Sequence, residues 1–260
     1  MTLAARSAGT GTPVVCLPWF GLDGSVTAAA LEPALSDWPG LERRYVDLPG
    51  TGGSPAGALT SDGVLDAVEE YVAETVGERR FLLTGCSYGG YLAAALARRR
   101  PHQVAGLLLI VAGVRIRPAD RDLSGVVPAQ RREWLAGVGP QWREHLTVAL
   151  GNRTAAAAEQ VAGLLTAAPP GDDDYLGRLR STGYRLTDED SPARFAGPTM
   201  IVAGRGDGIA GFADQFSALA RYPAGTYAVL ADAGHYLPFE QPSAFAALVR
   251  QWLVAAAARP

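Results

Sequence analysis

Phe81-Leu82-Leu83-Thr84-Gly85-Cys86-Ser87-Tyr88-Gly89-Gly90-Tyr91-Leu92 is the stretch on which the fold turns. The apolar run Arg80 to Thr84 reads as a buried strand. Tyr88 to Arg100 reads as a small-residue helix, which Pro101 stops. Between them sits Gly85-Cys86-Ser87-Tyr88-Gly89, a G-x-S-x-G. A serine on so sharp a strand-to-helix turn lifts its hydroxyl out of the sheet. Glycines two before and two after it leave room for the tight backbone. The helix N-terminus beneath favours developing negative charge. A bare G-x-S-x-G is a weak signal, and its place between strand and helix makes it a specific one.

Outward from that turn the alternation continues. Pro13–Leu17, Leu41–Leu48 and Leu107–Val111 read as strands. Ser61–Val76 reads as a helix, with Val64, Leu65, Val68, Tyr71 and Val72 at helical spacing and Ser61 or Asp62 as its cap. Continuous apolar strands alternating with helices predict an α/β fold, a mostly parallel central sheet with helices on both faces. Right-handed crossovers gather the C-terminal strand ends along one edge, where ligands bind. From about Arg115 to Ala196 the signals are helical only: Pro128–Val138, Pro140–Leu150, Thr154–Thr166 and Asp173–Leu186. Strand signals return at Thr199–Ala203 and Tyr227–Leu230, with helices at Phe212–Arg221 and Ser243–Ala258. The expected organisation is a core of residues 1–114 and 197–260, with an all-helical lid insertion, residues 115–196, over the strand ends.

Composition sets the outer bounds. The 260 residues are 48% hydrophobic and 19% charged, ample for a buried core. The 23 basic and 26 acidic side chains leave a formal charge of −3, too weak a field to attract nucleic acid. Cys16 and Cys86 sit in apolar runs and form no metal-binding pair. No segment approaches the ~20 apolar residues of a membrane span, and the opening residues lack the run of about 7–15 apolar residues of a signal peptide. The expectation is a cytoplasmic protein, monomer or homodimer, acting on a small-molecule substrate without metal, cofactor, nucleic acid or membrane.

A serine hydroxyl needs a base to take its proton, and the chain offers three histidines. His102 follows Pro101 on a connecting loop away from the strand ends. His145 lies within an inserted helix, on its surface or in its core. His235, in Asp232-Ala233-Gly234-His235-Tyr236-Leu237-Pro238, follows the last strand and so shares an edge with Ser87. That base in turn needs an acceptor to fix its tautomer. Asp207 ends Ala203-Gly204-Arg205-Gly206-Asp207, again just past a strand. Gly113 to Arg117, the other natural place for such an acid, holds no carboxylate. Asp232 is the weaker rival, only three residues from His235. Ser87, His235 and Asp207 are therefore the expected nucleophile, base and acid. The aromatic residues Trp134, Trp142, Tyr175 and Tyr184 of the insertion either line an apolar substrate pocket or form the core of the insertion.

The order Ser87, Asp207, His235 resembles that of the α/β-hydrolase superfamily. Asp47-Leu48-Pro49-Gly50-Thr51-Gly52-Gly53-Ser54 looks like its D-x-P-G-x-G-x-S loop, with Thr51 where histidine is common. Gly234-His235 and Pro238-Phe239-Glu240-Gln241-Pro242 are similar to its histidine loop and the start of its last helix. The resemblance spans almost the whole chain outside 115–196. It implies an oxyanion hole built from two backbone N–H groups: that of Tyr88, and one from Pro18-Trp19-Phe20-Gly21, where members usually carry His-Gly. Phe20 is the expected donor, with Trp19 the second choice and a candidate wall of the substrate pocket. It implies too that the antiparallel hairpin which often opens the fold is missing or reduced. The activity implied is that of a serine hydrolase, cleaving a carboxylic ester or related acyl bond of a small hydrophobic substrate through an acyl-enzyme. The same residues serve C–C bond hydrolases, thioesterases, and some lyases or cyclases, and a non-catalytic ligand-binding member shares the scaffold. A serine at 87 excludes the haloalkane dehalogenase and epoxide hydrolase subgroups, which need aspartate there.

Overall fold

The computed structural model describes residues 2–258. Among these residues seven strands form one sheet: β1 (Ala5–Ala8), β2 (Thr12–Leu17), β3 (Leu41–Val46), β4 (Phe81–Cys86), β5 (Val104–Ile110), β6 (Thr199–Gly204) and β7 (Gly225–Leu230). Their spatial order is β1-β3-β2-β4-β5-β6-β7. Only β1 runs antiparallel, pairing Ala5 with Val46 and Ala8 with Arg43 of β3. The opening hairpin of the superfamily is thus reduced to one short edge strand.

The sheet has two buried faces because its strands alternate with period two. Leu83 of β4 and Leu107 and Leu109 of β5 point to one side. There they meet Leu65, Val68 and Val72 of α2 (Ser61–Thr75) and Leu92 and Leu96 of α3 (Tyr88–Arg99). Leu82, Leu108 and Ile110 point to the other side. They meet Val26, Leu31 and Leu35 of α1 (Gly24–Leu35) and Val249 and Trp252 of α9 (Pro242–Ala257). This double covering explains why the central strands read as unbroken apolar runs.

Helix α1 was not legible in the sequence. Its apolar stripe is diluted by alanines and carries Pro33, which removes a helical hydrogen bond. Packing on the sheet overrides that cost, and the Asp23 side chain caps the start by accepting from Ser25 N–H.

Between β5 and β6 lie α4 (Pro140–Ala149), α5 (Ala155–Ala167) and α6 (Asp173–Thr182). The helix expected at Pro128–Val138 is replaced by a single 3₁₀ turn at Glu133–Leu135. Only Leu135 and Val138 of that stretch are buried, too little to hold a short helix between Pro128 and Gly137. The last inserted helix ends at Thr182, four residues early, because Gly183 closes it and Tyr184 turns into the core. The roots of the insertion are tied by buried Glu189, whose carboxylate accepts from Ile116 N–H at 3.1 Å, Tyr91 O–H at 2.8 Å and Arg185 Nε at 2.8 Å. Two further elements complete the chain: α7 (Ala213–Ala218) after β6 and the short α8 (Leu237–Glu240) after β7.

Candidate active site

Ser87 sits between β4 and α3 at φ +53°, ψ −113°, a strained backbone for a non-glycine residue. Close approach explains its glycines. A Cβ on Gly85 would stand 2.2 Å from the Gly89 carbonyl oxygen, and one on Gly89 would stand 2.4 Å from the Leu17 carbonyl oxygen. The turn is stitched down by Ser87 N–H to the Ile110 carbonyl (2.9 Å) and Gly89 N–H to the Pro18 carbonyl (2.9 Å). Val111, beside it at the end of β5, also has a positive φ of 43°.

His235 Nε2 lies 2.8 Å from Ser87 Oγ, and His235 Nδ1 lies 2.9 Å from Asp207 Oδ2. Asp207 is fully buried and its other oxygen accepts from Ile209 N–H (2.8 Å) and Ala210 N–H (2.9 Å). A carboxylate so placed calls for a proton on Nδ1, which leaves Nε2 as the acceptor for the serine hydroxyl. Asp232 is exposed and takes no part, and His102 is exposed on the turn before β5.

The histidine loop is held from several sides. His235 N–H donates to the Ala149 carbonyl at the end of α4 (2.6 Å), and the Trp19 indole N–H donates to the His235 carbonyl (3.1 Å). Glu240, buried at the end of α8, accepts from four backbone N–H groups: Gly234 (2.8 Å), Tyr236 (3.2 Å), Gly151 (2.8 Å) and Asn152 (2.7 Å). One carboxylate thus joins the histidine loop to the inserted segment. Burial pushes its pKa up to about 7, against the pull of those donors. In the sequence Glu240 stands only as part of the family landmark after the histidine, since buried acceptors of backbone N–H leave no sequence mark.

Phe20 N–H and Tyr88 N–H, the expected oxyanion donors, have no acceptor among the described residues. Tyr88 opens α3, where backbone donors lack helical partners. Its phenol points away, to Ser61 Oγ at 2.8 Å.

Ser87 and His235 open on a cavity of about 220 Å³, room for roughly seven waters. Trp19 and Tyr184 line it. Trp134, Trp142 and Tyr175 do not, which corrects the pocket alternative for those three and leaves the packing alternative. Trp134 bonds to the Arg131 carbonyl, Trp142 to Thr166 Oγ1 and Tyr175 to the Ala58 carbonyl. Their rings pack the insertion on itself and on the core. Nor is the cavity simply apolar, for His145, Arg121 and Arg180 also line it. His145 Nε2 lies 2.9 Å from the Tyr236 hydroxyl. Its pKa is lowered to about 4, chiefly by burial and further by His235 and Arg180, so it stands neutral at pH 7. The two arginines gave no sequence signal, because all 23 basic residues of this chain are arginine.

The model of the alpha/beta hydrolase family matches residues 7–248, and the chain belongs to that family. It is 36% identical over 149 residues to the pimeloyl-[acyl-carrier protein] methyl ester esterase of Sodalis glossinidius (strain morsitans). That match covers 56% of this chain and 53% of the relative. The enzyme of the same name from Aromatoleum aromaticum is 39% identical over 97 residues, covering 37% of this chain and 36% of the relative. The matches therefore span about half or less of these curated relatives. A solved alpha/beta superfamily hydrolase from Oenococcus oeni PSU-1 superposes with a TM-score of 0.84 at 26% identity, covering 98% of this chain and 97% of its own. No helix among the described residues is long and apolar enough to cross a membrane.

Proposed function

We propose that the protein is a serine hydrolase of carboxylic esters, with Ser87 as nucleophile, His235 as general base and Asp207 as its acid partner. The observation that carries this reading is the unbroken chain of contacts from Ser87 Oγ through the imidazole to Asp207, at 2.8 and 2.9 Å. Ester substrates are favoured because the curated relatives are named methyl ester esterases.

In the first half-reaction His235 takes the Ser87 proton as Oγ attacks the ester carbonyl. The C–O bond to the alcohol breaks, and His235 returns the proton to the leaving alkoxide. Water then attacks the acyl-enzyme, again losing its proton to His235, and the acid leaves with Ser87 regenerated. Tyr88 N–H and Phe20 N–H hold the oxyanion in both steps, and a single donor of this kind is worth ~10²–10³ in rate. Residues 115–196 act as a cover over the site, leaving 1–114 and 197–260 as the core. No step calls for a metal or cofactor.

The test is covalent labelling with a fluorophosphonate, beside turnover of p-nitrophenyl acetate. The wild-type protein is expected to label and turn over, and Ser87→Ala to do neither. Labelling that persists in the variant refutes Ser87 as the nucleophile.

A further inference from the structure

The cavity in front of Ser87 is one-sided in charge. Arg121, Arg180, His145 and His235 line it, and among the described residues no carboxylate does. Asp207 is engaged behind His235, and Glu189, behind Ile116, is engaged by Tyr91 and Arg185. Among the described residues neither arginine forms an ion pair, although most of the chain's half-buried arginines do, Arg44, Arg98, Arg100, Arg115 and Arg185 among them.

Both guanidinium groups are held in place without being neutralised. Arg121 is half-buried and donates to the carbonyls of Arg115 (3.1 Å), Ile209 (2.7 Å) and Ile116. These bonds use three of its five N–H donors and cancel none of its charge. Burial works against that charge and lowers its pKa. Arg180, exposed at the rim on α6, lies over the Phe20 ring with its central carbon 4.3 Å from the centroid, and 5.9 Å from that of Tyr184. Stacking on two rings fixes a side chain that solvent would otherwise leave free. Both arginines line the same cavity as Tyr184.

Cations fixed on one cavity wall with no carboxylate beside them favour an anionic ligand. The fork of a guanidinium matches a carboxylate. We infer that the substrate of Ser87 is an ester that also bears a free carboxylate, which Arg121 and Arg180 hold while the ester carbonyl meets Ser87. This inference rests on the esterase reading. It divides the labour: the core supplies the acyl chemistry, and the insertion, which carries both arginines, supplies recognition.

Four probes test it, followed by proton release. Monomethyl adipate is compared with methyl hexanoate, and 5-acetoxypentanoate with pentyl acetate. The pairs place the carboxylate on the acid or the alcohol side. For at least one pair kcat/KM is expected to be tenfold or more higher for the charged ester, mainly through KM. Arg180→Gln is expected to cut that ratio at least tenfold, with Arg180→Lys retaining part of it. A ratio of one or below in both wild-type pairs overturns the inference, as does a ratio that Arg180→Gln leaves unchanged. Should no ester turn over at all, the esterase reading fails by itself. Calorimetry of adipate with the Ser87→Ala protein then decides the anion site alone: binding that Arg180→Gln abolishes supports it, and no binding refutes it.

Discussion

Replacing Glu240 by glutamine isolates a titration that the wild-type protein hides. Burial places the Glu240 carboxyl at about 7, against an ordinary value of 4.5. Between those values the folded chain holds a proton that the unfolded chain has lost. A group raised in this way contributes stability that is full below pH 4.5 and is lost as pH rises through about 7. The gap corresponds to roughly 3 kcal/mol, a large share of a typical ΔG of unfolding of about 5–15 kcal/mol. His145, lowered from 6.5 to about 4, bends the curve the other way. Its contribution is present above pH 6.5 and lost as pH falls through about 4, by a similar amount. The two slopes largely cancel in the wild-type protein. Glu240→Gln removes the first slope, so the variant should gain stability relative to wild type from pH 4.5 to 8, by up to about 3 kcal/mol. The absolute level of the variant should be lower at acid pH, because its amide nitrogen faces two backbone N–H donors where an oxygen stood. Urea unfolding followed by the fluorescence of the five tryptophans, repeated at each pH, measures the difference. Parallel stability curves for wild type and Glu240→Gln across that range refute the reasoning.

Two other substitutions probe the site. Asp207→Asn leaves the shape of the carboxyl but favours the wrong imidazole tautomer, so kcat is expected to fall about 10³–10⁴-fold; a fall of less than tenfold contradicts the assigned role. Gly89→Ala sets a Cβ 2.4 Å from the Leu17 carbonyl oxygen and 2.5 Å from that of Pro18. It is expected to cost about 2–4 kcal/mol and to displace the Pro18-Trp19-Phe20 loop, lowering activity with stability; an unchanged Tm speaks against the packing described.

What could be read from the sequence follows a physical line. Ser87, Asp207 and His235 were legible because each follows a strand, and the parallel topology delivers the ends of those strands to one rim. The central strands were legible because covering on both faces demands unbroken apolar runs. Helix α1 was not, because Pro33 and four alanines blur its stripe, and only the sheet beneath decides its conformation. The aromatic residues of the insertion could be read by type either as pocket wall or as insertion core. Type does not say which way a ring faces, and Trp134, Trp142 and Tyr175 face elsewhere. Arg121 and Arg180 were invisible for a related reason: a charged side chain declares its use only through its neighbours, and those come from distant segments.

The bond from His235 N–H to the Ala149 carbonyl has a mechanical corollary. The His235 loop and the end of α4 share a fastening, and Gly151 and Gly234 press so closely there that no side chain fits between them. A shift of α4 at that corner would pull the imidazole out of line with Ser87. The 2.8 Å contact between His235 and Ser87 therefore depends on where the end of α4 stands.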